Sequence, residues 1–363
     1  MRYVDEFRSP KLVNKIAAKI NAINPGGKIN IMEVCGTHTQ NFYRFGLDTL
    51  LPKNIRLISG PGCPVCVSPQ GYIDSAIQLA KNTDVVIATF GDMLRIPGSS
   101  SSLEKQKAET GNIRVVYSPL DAVTLAAANP DKNVIFLAVG FETTSPAIAL
   151  SVLAAKNKKL NNIYFLSSLK LIPPAMRYLL LDKRLKIDAF LCPGHVSAVI
   201  GTKDYEFIPK KYKTACCVAG FEPLDILEGI CMILEQLIAK KPFVANQYTR
   251  VVIKSGNSSA RKIINRVFKV CDSSWRGFGV IPDSGLELRK EFSSLDAERV
   301  FPVNLKAKSS PAKACRCADV LKGLILPSRC RLFAKSCRPD NPVGPCMVSS
   351  EGACNAYYKF RKG

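Results

Sequence analysis

The first residues able to do chemistry in this chain are Cys35-Gly36-Thr37-His38-Thr39-Gln40. A soft thiol, hydroxyls, an imidazole and an amide arrive directly after the apolar run Ile29 to Val34. Such a set can ligate a metal, orient a small ligand or attack an electrophile. It is also the composition of a strand end that merely caps the next helix. The chain holds only two histidines, which weighs against His38 standing beside a cysteine by accident. A second site, Gly60-Pro61-Gly62-Cys63-Pro64-Val65-Cys66, spaces Cys63 and Cys66 for a dithiol/disulfide couple or for two ligands on one metal. In a third, Cys192-Pro193-Gly194-His195, the imidazole of His195 is a candidate ligand, proton carrier or cap.

The densest signal lies near the C-terminus. Cys315, Cys317, Cys330, Cys337, Cys346 and Cys354 occur in short segments broken by Pro and Gly. Little regular structure can form a core there, so the segment is expected to fold around an iron–sulfur cluster, a zinc ion or disulfides. One residue between Cys315 and Cys317, with long gaps elsewhere, suits a cuboidal cluster better than zinc. Six thiols for four corners leave a pair over, able to act as a reducible dithiol. The whole chain has 14 cysteines, and its start, Met1 to Arg8, carries no apolar leader. A cytoplasmic location follows as the expectation, and with it metal or redox chemistry rather than a disulfide framework. Cys216, Cys217, Cys231 and Cys271 lie in apolar contexts and read as inert core thiols.

These groups need elements to position them. The pattern gives an opening helix over Pro10 to Ala22 and strands at 29–34, 55–59, 84–89, 112–117, 133–139, 162–166, 187–191 and 215–219. Helices alternate with them, the last from Pro223 to about 240. Further on come a strand at Val251 to Ile253, a helix over Asn257 to Phe268, and a Gly-rich loop from Cys271 to Glu287 carrying Trp275, an expected packing anchor between domains. Strand-then-helix order argues two α/β domains with mostly parallel sheets facing a cleft, followed by a small irregular C-terminal domain. The expected division is 1–118, completed by about 245–300, then 119–244, then the cysteine-rich 301–363. Two echoed segments, Ala138 to Glu142 and Val218 to Glu222, each end a strand with Gly-Phe-Glu; this is either an ordinary strand–turn–helix sequence or a sign that Glu142 and Glu222, near helix starts, face one cleft and position a ligand. Asp92, Thr143 and Ser197 are further candidates for its lining.

Composition narrows the function. Hydrophobic residues make up 47% of the 363, a globular composition, and no apolar run reaches the length of a membrane span. The net charge of +22 invites an acidic partner, but the lysines are scattered and no basic stretch is interleaved with aromatics, so neither nucleic acid nor membrane is an expected partner. Walker, Rossmann and Gly-x-Ser-x-Gly motifs are missing from the sequence, which weakens nucleotide-dependent and serine-hydrolase readings. On residues alone, an iron–sulfur/dithiol redox enzyme that reduces a protein disulfide, a metal-assembly scaffold and a zinc-stabilised adaptor all stay open.

Taken in order, the motifs resemble one family, the hydrogenase maturation factor HypD. The resemblance runs through Cys35 to Gln40, Gly60 to Cys66, Gly140 to Pro146, Pro193 to Ser197, Ala219 to Pro223, Ile281 to Leu286 and Pro345 to Cys354. It implies a scaffold of [NiFe]-hydrogenase maturation with redox activity rather than a conventional turnover enzyme. Its cofactors would be a [4Fe-4S] cluster and iron, the latter as an Fe(CN)2CO unit under assembly. Implied partners are a HypC-like small chaperone, HypE with HypF as cyanide donors, and the hydrogenase large-subunit precursor that receives the unit. By the family pattern Cys35 is the iron ligand and Cys63 and Cys66 a nearby dithiol, and His38 and Thr39 are expected to tune Cys35 or to bind an incoming diatomic through hydrogen bonds. The same pattern makes Cys315, Cys330, Cys337 and Cys354 the cluster ligands, with Cys317 and Cys346 the spare redox pair.

Overall fold

The computed structural model describes residues 4–301 and 314–361. The expected start of the C-terminal segment runs into residues 302–313, which lie outside the described residues, as do Met1 to Tyr3 of the opening stretch. In chain order the strands are β1 (Ile29–Glu33), β2 (Ile55–Ser59), β3 (Val85–Thr89), β4 (Ile113–Val115), β5 (Asn133–Gly140), β6 (Ile163–Lys170), β7 (Ala189–Pro193), β8 (Ala215–Ala219), β9 (Val244–Asn246), β10 (Phe268–Trp275) and β11 (Gly279–Leu288). They form two sheets. The first has order β2-β1-β7-β8-β9 and is parallel throughout. The second has order β10-β11-β6-β5-β3-β4, parallel from β6 to β4 and antiparallel at the β10–β11 edge.

Each sheet therefore draws strands from both sides of the expected 118/119 boundary, and β3 does not continue the sheet of β1 and β2. Hydrophobic runs specify that a strand is buried, but a helical crossover can return it beside any neighbour. After β2 the chain leaves to build most of the second sheet, then re-enters the first at β7, on the other side of β1. That reversal makes the carboxyl end of β1 a topological switch point, where open parallel sheets leave a crevice for ligands.

Two local expectations are corrected. The stretch expected as a Gly-rich loop, Cys271 to Glu287, is the β10–β11 hairpin, turning through Gly277 and Gly279 with φ of +85° and +82°. Its polar residues, Asp272 and Ser274 among them, face outward on an edge ribbon, which hid the strand period. The expected strand at Val251 to Ile253 is a turn; only Val252 is buried, and β9 takes the sheet position. The helix that follows β1 covers Gly36–Arg44, with Cys35 as its N-cap.

One buried cluster joins the two sheets to the cysteine-rich segment. Met32, Val34 and Phe190 enter it from the first sheet, Phe141, Trp275 and Ile281 from the second, and Cys317, Val320, Cys346 and Met347 from the C-terminal part. Trp275 is 1% exposed, stacks on Phe141 with centroids 6.0 Å apart, and donates its indole N–H to Ser284 Oγ at 2.8 Å. Burying such a ring contributes a few kcal/mol, on the order of 3, to holding the parts together. Between the short helices Cys317–Leu321 and Ala353–Phe360 the chain makes only turns and single 3-10 turns. The closing helix docks on the Cys35 helix, with Tyr357 edge-on to Tyr43 at 5.2 Å.

Candidate functional site

The carboxyl ends of β2, β1, β7 and β8 lie side by side, and each delivers one of the sequence motifs. Strand β1 hands over to Cys35, and Gly36 N donates to Gly62 O at 3.1 Å, tying the start of the helix to the loop after β2. A Cβ on Gly62 would stand 2.4 Å from Cys35 N and 2.5 Å from Cys35 Cα, so only glycine allows this approach. Beyond it Cys63 and Cys66 are joined by a disulfide, at opposite ends of one turn of helix. Glu351 of the C-terminal segment closes the other side: its carbonyl oxygen would lie 2.2 Å from a Cβ on Gly36, and its carboxylate accepts from Thr37 Oγ1 at 3.0 Å.

Cys35 is half-buried and free. The N–H groups of Thr37 and His38, at a helix start, favour its thiolate, but burial and the Glu351 carboxylate outweigh them and push the thiol up to about 12. The resting site is thus a neutral thiol. An incoming cation must displace that proton, as metal binding to a thiol ordinarily does.

His38 is fully buried. Its Nε2–H donates to Gly220 O at 2.8 Å, which leaves Nδ1 as a bare, unpartnered acceptor. Burial lowers the ring to about 4, so it is neutral at physiological pH. Thr39 donates its hydroxyl to Glu33 Oε1. Both side chains are committed to neighbours, so they hold the helix that carries Cys35. Glu33 itself, the last residue of β1, went unread in the sequence; burial raises its carboxyl to about 8 and its Oε2 has no partner. A charged residue ending an apolar strand was the available signal.

The third motif is split between the end of β7, which holds Cys192, and the helix Gly194–Ile200, which holds His195. Cys192 points into the core beside the Cys216 thiol, whereas His195 is exposed and stacks on Phe221 at 4.0 Å. His38 meets the same ring at 4.8 Å. His195, Phe221, Glu222, Thr37 and Arg250 line a cavity of about 670 Å³ next to the Cys35 helix. Glu222 pairs there with Arg8, whose Nη2 donates to Oε1 at 2.9 Å. Glu142 does not share this cavity. Its Oε1 accepts from Ile172 N at 2.8 Å at the end of β5, Oε2 is unpartnered, and burial raises the carboxyl to about 8. Of the other expected lining residues, Asp92 faces Glu351, Thr143 is exposed elsewhere, and Ser197 is buried with Oγ on Pro193 O at 2.6 Å. Cys216, Cys217 and Cys231 are buried, but Cys271 is only half-buried, on the hairpin beside Lys170.

In the C-terminal segment Cys315 and Cys317 have their sulfurs 3.3 Å apart. The Cys317 and Cys346 thiols both lie against Cys354, and their hydrogen bonds hold it down, to about 6. Gly344 leaves the room they need: its Cβ would stand 2.5 Å from Cys315 Sγ and 2.6 Å from Cys317 Sγ. Cys337 Sγ accepts from Val343 N at 3.4 Å, and Cys330 sits half-buried after the turn Pro327–Arg329 without a hydrogen bond to the other thiols. Among the described residues no three His, Cys, Asp or Glu side chains are arranged to hold one ion. The donors themselves are all soft thiols, which suits iron–sulfur chemistry and excludes a hard-cation site. Among the described residues no helix is long and apolar enough to cross a membrane.

Fold and site define a class: a two-sheet α/β protein whose strand ends gather thiols and an imidazole beneath a cysteine-rich cap. The family model HypD, described as the hydrogenase formation hypA family, matches residues 11–361. The chain is 45% identical over 369 residues to the hydrogenase maturation factor HypD of Azotobacter vinelandii, covering 99% of this chain and 97% of that one. It is 44% identical over 374 residues to the hydrogenase maturation factor HypD of Escherichia coli strain K12, covering 100% and 99%. The hydrogenase expression/formation protein HupD of Azotobacter chroococcum matches at 44% over 368 residues, covering 99% and 97%. The chain belongs to the HypD family.

Proposed function

We propose that this chain is the scaffold on which the iron unit of a [NiFe]-hydrogenase is assembled, with Cys35 as the perch. Family membership supports the scaffold role in hydrogenase maturation. One observation carries the residue-level reading: the backbone of Cys35 packs against Gly62 of the disulfide loop, and the next two residues, Gly36 and Thr37, are held by Glu351 of the C-terminal segment. Iron, the Fe(CN)2CO unit under construction, is cargo here. A soft thiolate suits electron-rich iron better than a carboxylate would. Cys35 alone offers too few ligands, so a HypC-like small chaperone, bringing its own N-terminal cysteine, completes the site. HypE with HypF supplies cyanide, and the finished unit passes to the large-subunit precursor.

Cys315, Cys330, Cys337 and Cys354 would hold a [4Fe-4S] cluster, which when bound supplies electrons one at a time. Cys317 and Cys346 are then the spare pair. The chain's own residues connect this region to the perch: Cys66 Sγ lies 3.9 Å from Pro345 O, the residue before Cys346. Reducing the Cys63–Cys66 disulfide takes two electrons and two protons and leaves a dithiol beside Cys35. His38 and Thr39 keep the helix start in register while ligands change. Anaerobic co-purification of Cys35→Ala with the HypC-like partner tests the reading. The infrared bands of iron-bound cyanide and carbonyl should vanish while the visible absorption of the cluster remains. Undiminished bands in that variant sink the assignment.

A further inference from the structure

A second cavity, of about 550 Å³, opens beside the cysteine-rich segment and plays no part in the perch. Cys315, Cys317 and Gly344 form one wall, and Arg276, Gln70, Ser99 and Ser274 supply polar groups opposite. Of the four cysteines read as cluster ligands, Cys315 lines it and Cys330, Cys337 and Cys354 do not. Arg276 is fixed from its backbone: its N–H donates to Val67 O at 2.7 Å, one residue past Cys66. Gly277 beside it has φ of +85° and packs so tightly that a Cβ would meet Ala318 Cβ at 2.5 Å. The guanidinium itself is nearly idle. Among the described residues its only hydrogen bond is a 3.5 Å contact to Pro97 O, and no carboxylate pairs with it. The nearest acid, Asp74, is already taken by Ser99 N and Oγ, both at 2.6 Å.

A half-buried cation with no directly paired carboxylate among the described residues, facing Cys317 across a small cavity, is complementary to a molecule with a carboxylate at one end and a sulfhydryl at the other. We propose that this cavity binds a small anionic thiol, held by Arg276, which reduces a Cys317–Cys346 disulfide. The inference rests on the reading of Cys317 and Cys346 as a redox pair. The thiolate of the first molecule attacks Cys317 Sγ, the Cys317–Cys346 bond breaks, and Cys346 leaves as a thiolate that takes a proton. A second molecule attacks the mixed disulfide at its outer sulfur and releases Cys317. Two small thiols become one small disulfide, and their two electrons and two protons stay on the protein.

The test uses the anaerobically purified, cluster-bearing protein, mildly oxidised, with the Cys317–Cys346 bond mapped by mass spectrometry. Its reduction is then timed with 3-mercaptopropionate and with 2-mercaptoethanol, which match in size but not in charge. The ratio of the two rates cancels any change in the reactivity of the disulfide itself. In Arg276→Gln the ratio should fall about tenfold, the effect of losing one charge-assisted hydrogen bond, while Arg276→Lys keeps most of it. An unchanged ratio in Arg276→Gln overturns the anion site while leaving the redox pair standing. Failure to form any Cys317–Cys346 disulfide overturns the redox-pair reading, and this inference with it.

Discussion

Glu142 shows what the fold does to a single carboxyl. Burial at the end of β5 raises it from 4.5 to about 8, while Oε1 keeps the Ile172 N–H. A folded-state value above the unfolded one means that its stabilisation is complete below about pH 4.5 and drains away as pH rises toward 8. Glu142→Gln keeps the acceptor and removes the titration. Between pH 5 and 8 the wild type should therefore lose stability relative to this variant, by up to about 1.4 kcal/mol per pH unit. Urea midpoints of both proteins at the two ends of that range decide it; parallel curves would mean that the carboxyl is already ionised in the fold. At this scale the sequence was legible as residue type and illegible as surroundings. Cys35, Cys63 and Cys66 declared themselves by spacing, and the disulfide joins the last two. Glu351 bonds Thr37 across 314 positions, and no local pattern announces such a contact.

Elements depend on glycines where backbones touch. At Gly62 a methyl group would strike the N and Cα of Cys35, which are backbone atoms and cannot rotate away. Gly62→Ala should cost about 1–3 kcal/mol, in line with other overpacked positions, and should displace Cys35 relative to the disulfide loop. Gly91→Ala is the control: the only atom near its Cβ is Val115 Cγ1 at 3.8 Å, an ordinary contact. Denaturation midpoints should separate the two variants. The infrared bands of the iron ligands should weaken in the first and persist in the second. Equal behaviour would remove Gly62 from the argument. A helix that buries one face and strands that are apolar along most of their length were readable to within a residue or two, as with Pro10–Ala22, β1, β2 and β8. The β10–β11 hairpin was not, because its outward residues are polar and its turn glycines imitate a loop. Helix Leu103–Thr110 also went unread, since charged residues dominate it and few of its side chains are buried.

The arrangement of the whole molecule was the least legible, since strand order follows from which crossover packs best and not from any residue pattern. Interleaved sheets have a mechanical consequence. The second sheet reaches the perch through the shared buried cluster that contains Trp275, and the cysteine-rich cap packs into the same cluster besides touching the perch directly through Glu351. The Trp275 ring stacks on Phe141 at the end of β5 and meets Phe278 edge-on at 6.4 Å. Its indole ties the hairpin to Ser284, and the next residue bonds Val67 beside the disulfide. Removing the ring in Trp275→Ala should cost about 3–5 kcal/mol, a large fraction of the stability of a domain. Trp275→Phe, which retains most of the apolar contact, should cost less. If the cluster couples the parts, the damage travels: alkylation of Cys317 and Cys346 at neutral pH, followed by mass spectrometry, should accelerate in Trp275→Ala while Cys217, buried in the first sheet within a separate cluster, stays protected. Uniform acceleration at all three thiols would instead mean global unfolding, and no acceleration at any would mean that the cap holds its place without the second sheet. Selective exposure is the outcome expected of a molecule in which one tryptophan joins the redox segment to the strand ends it serves.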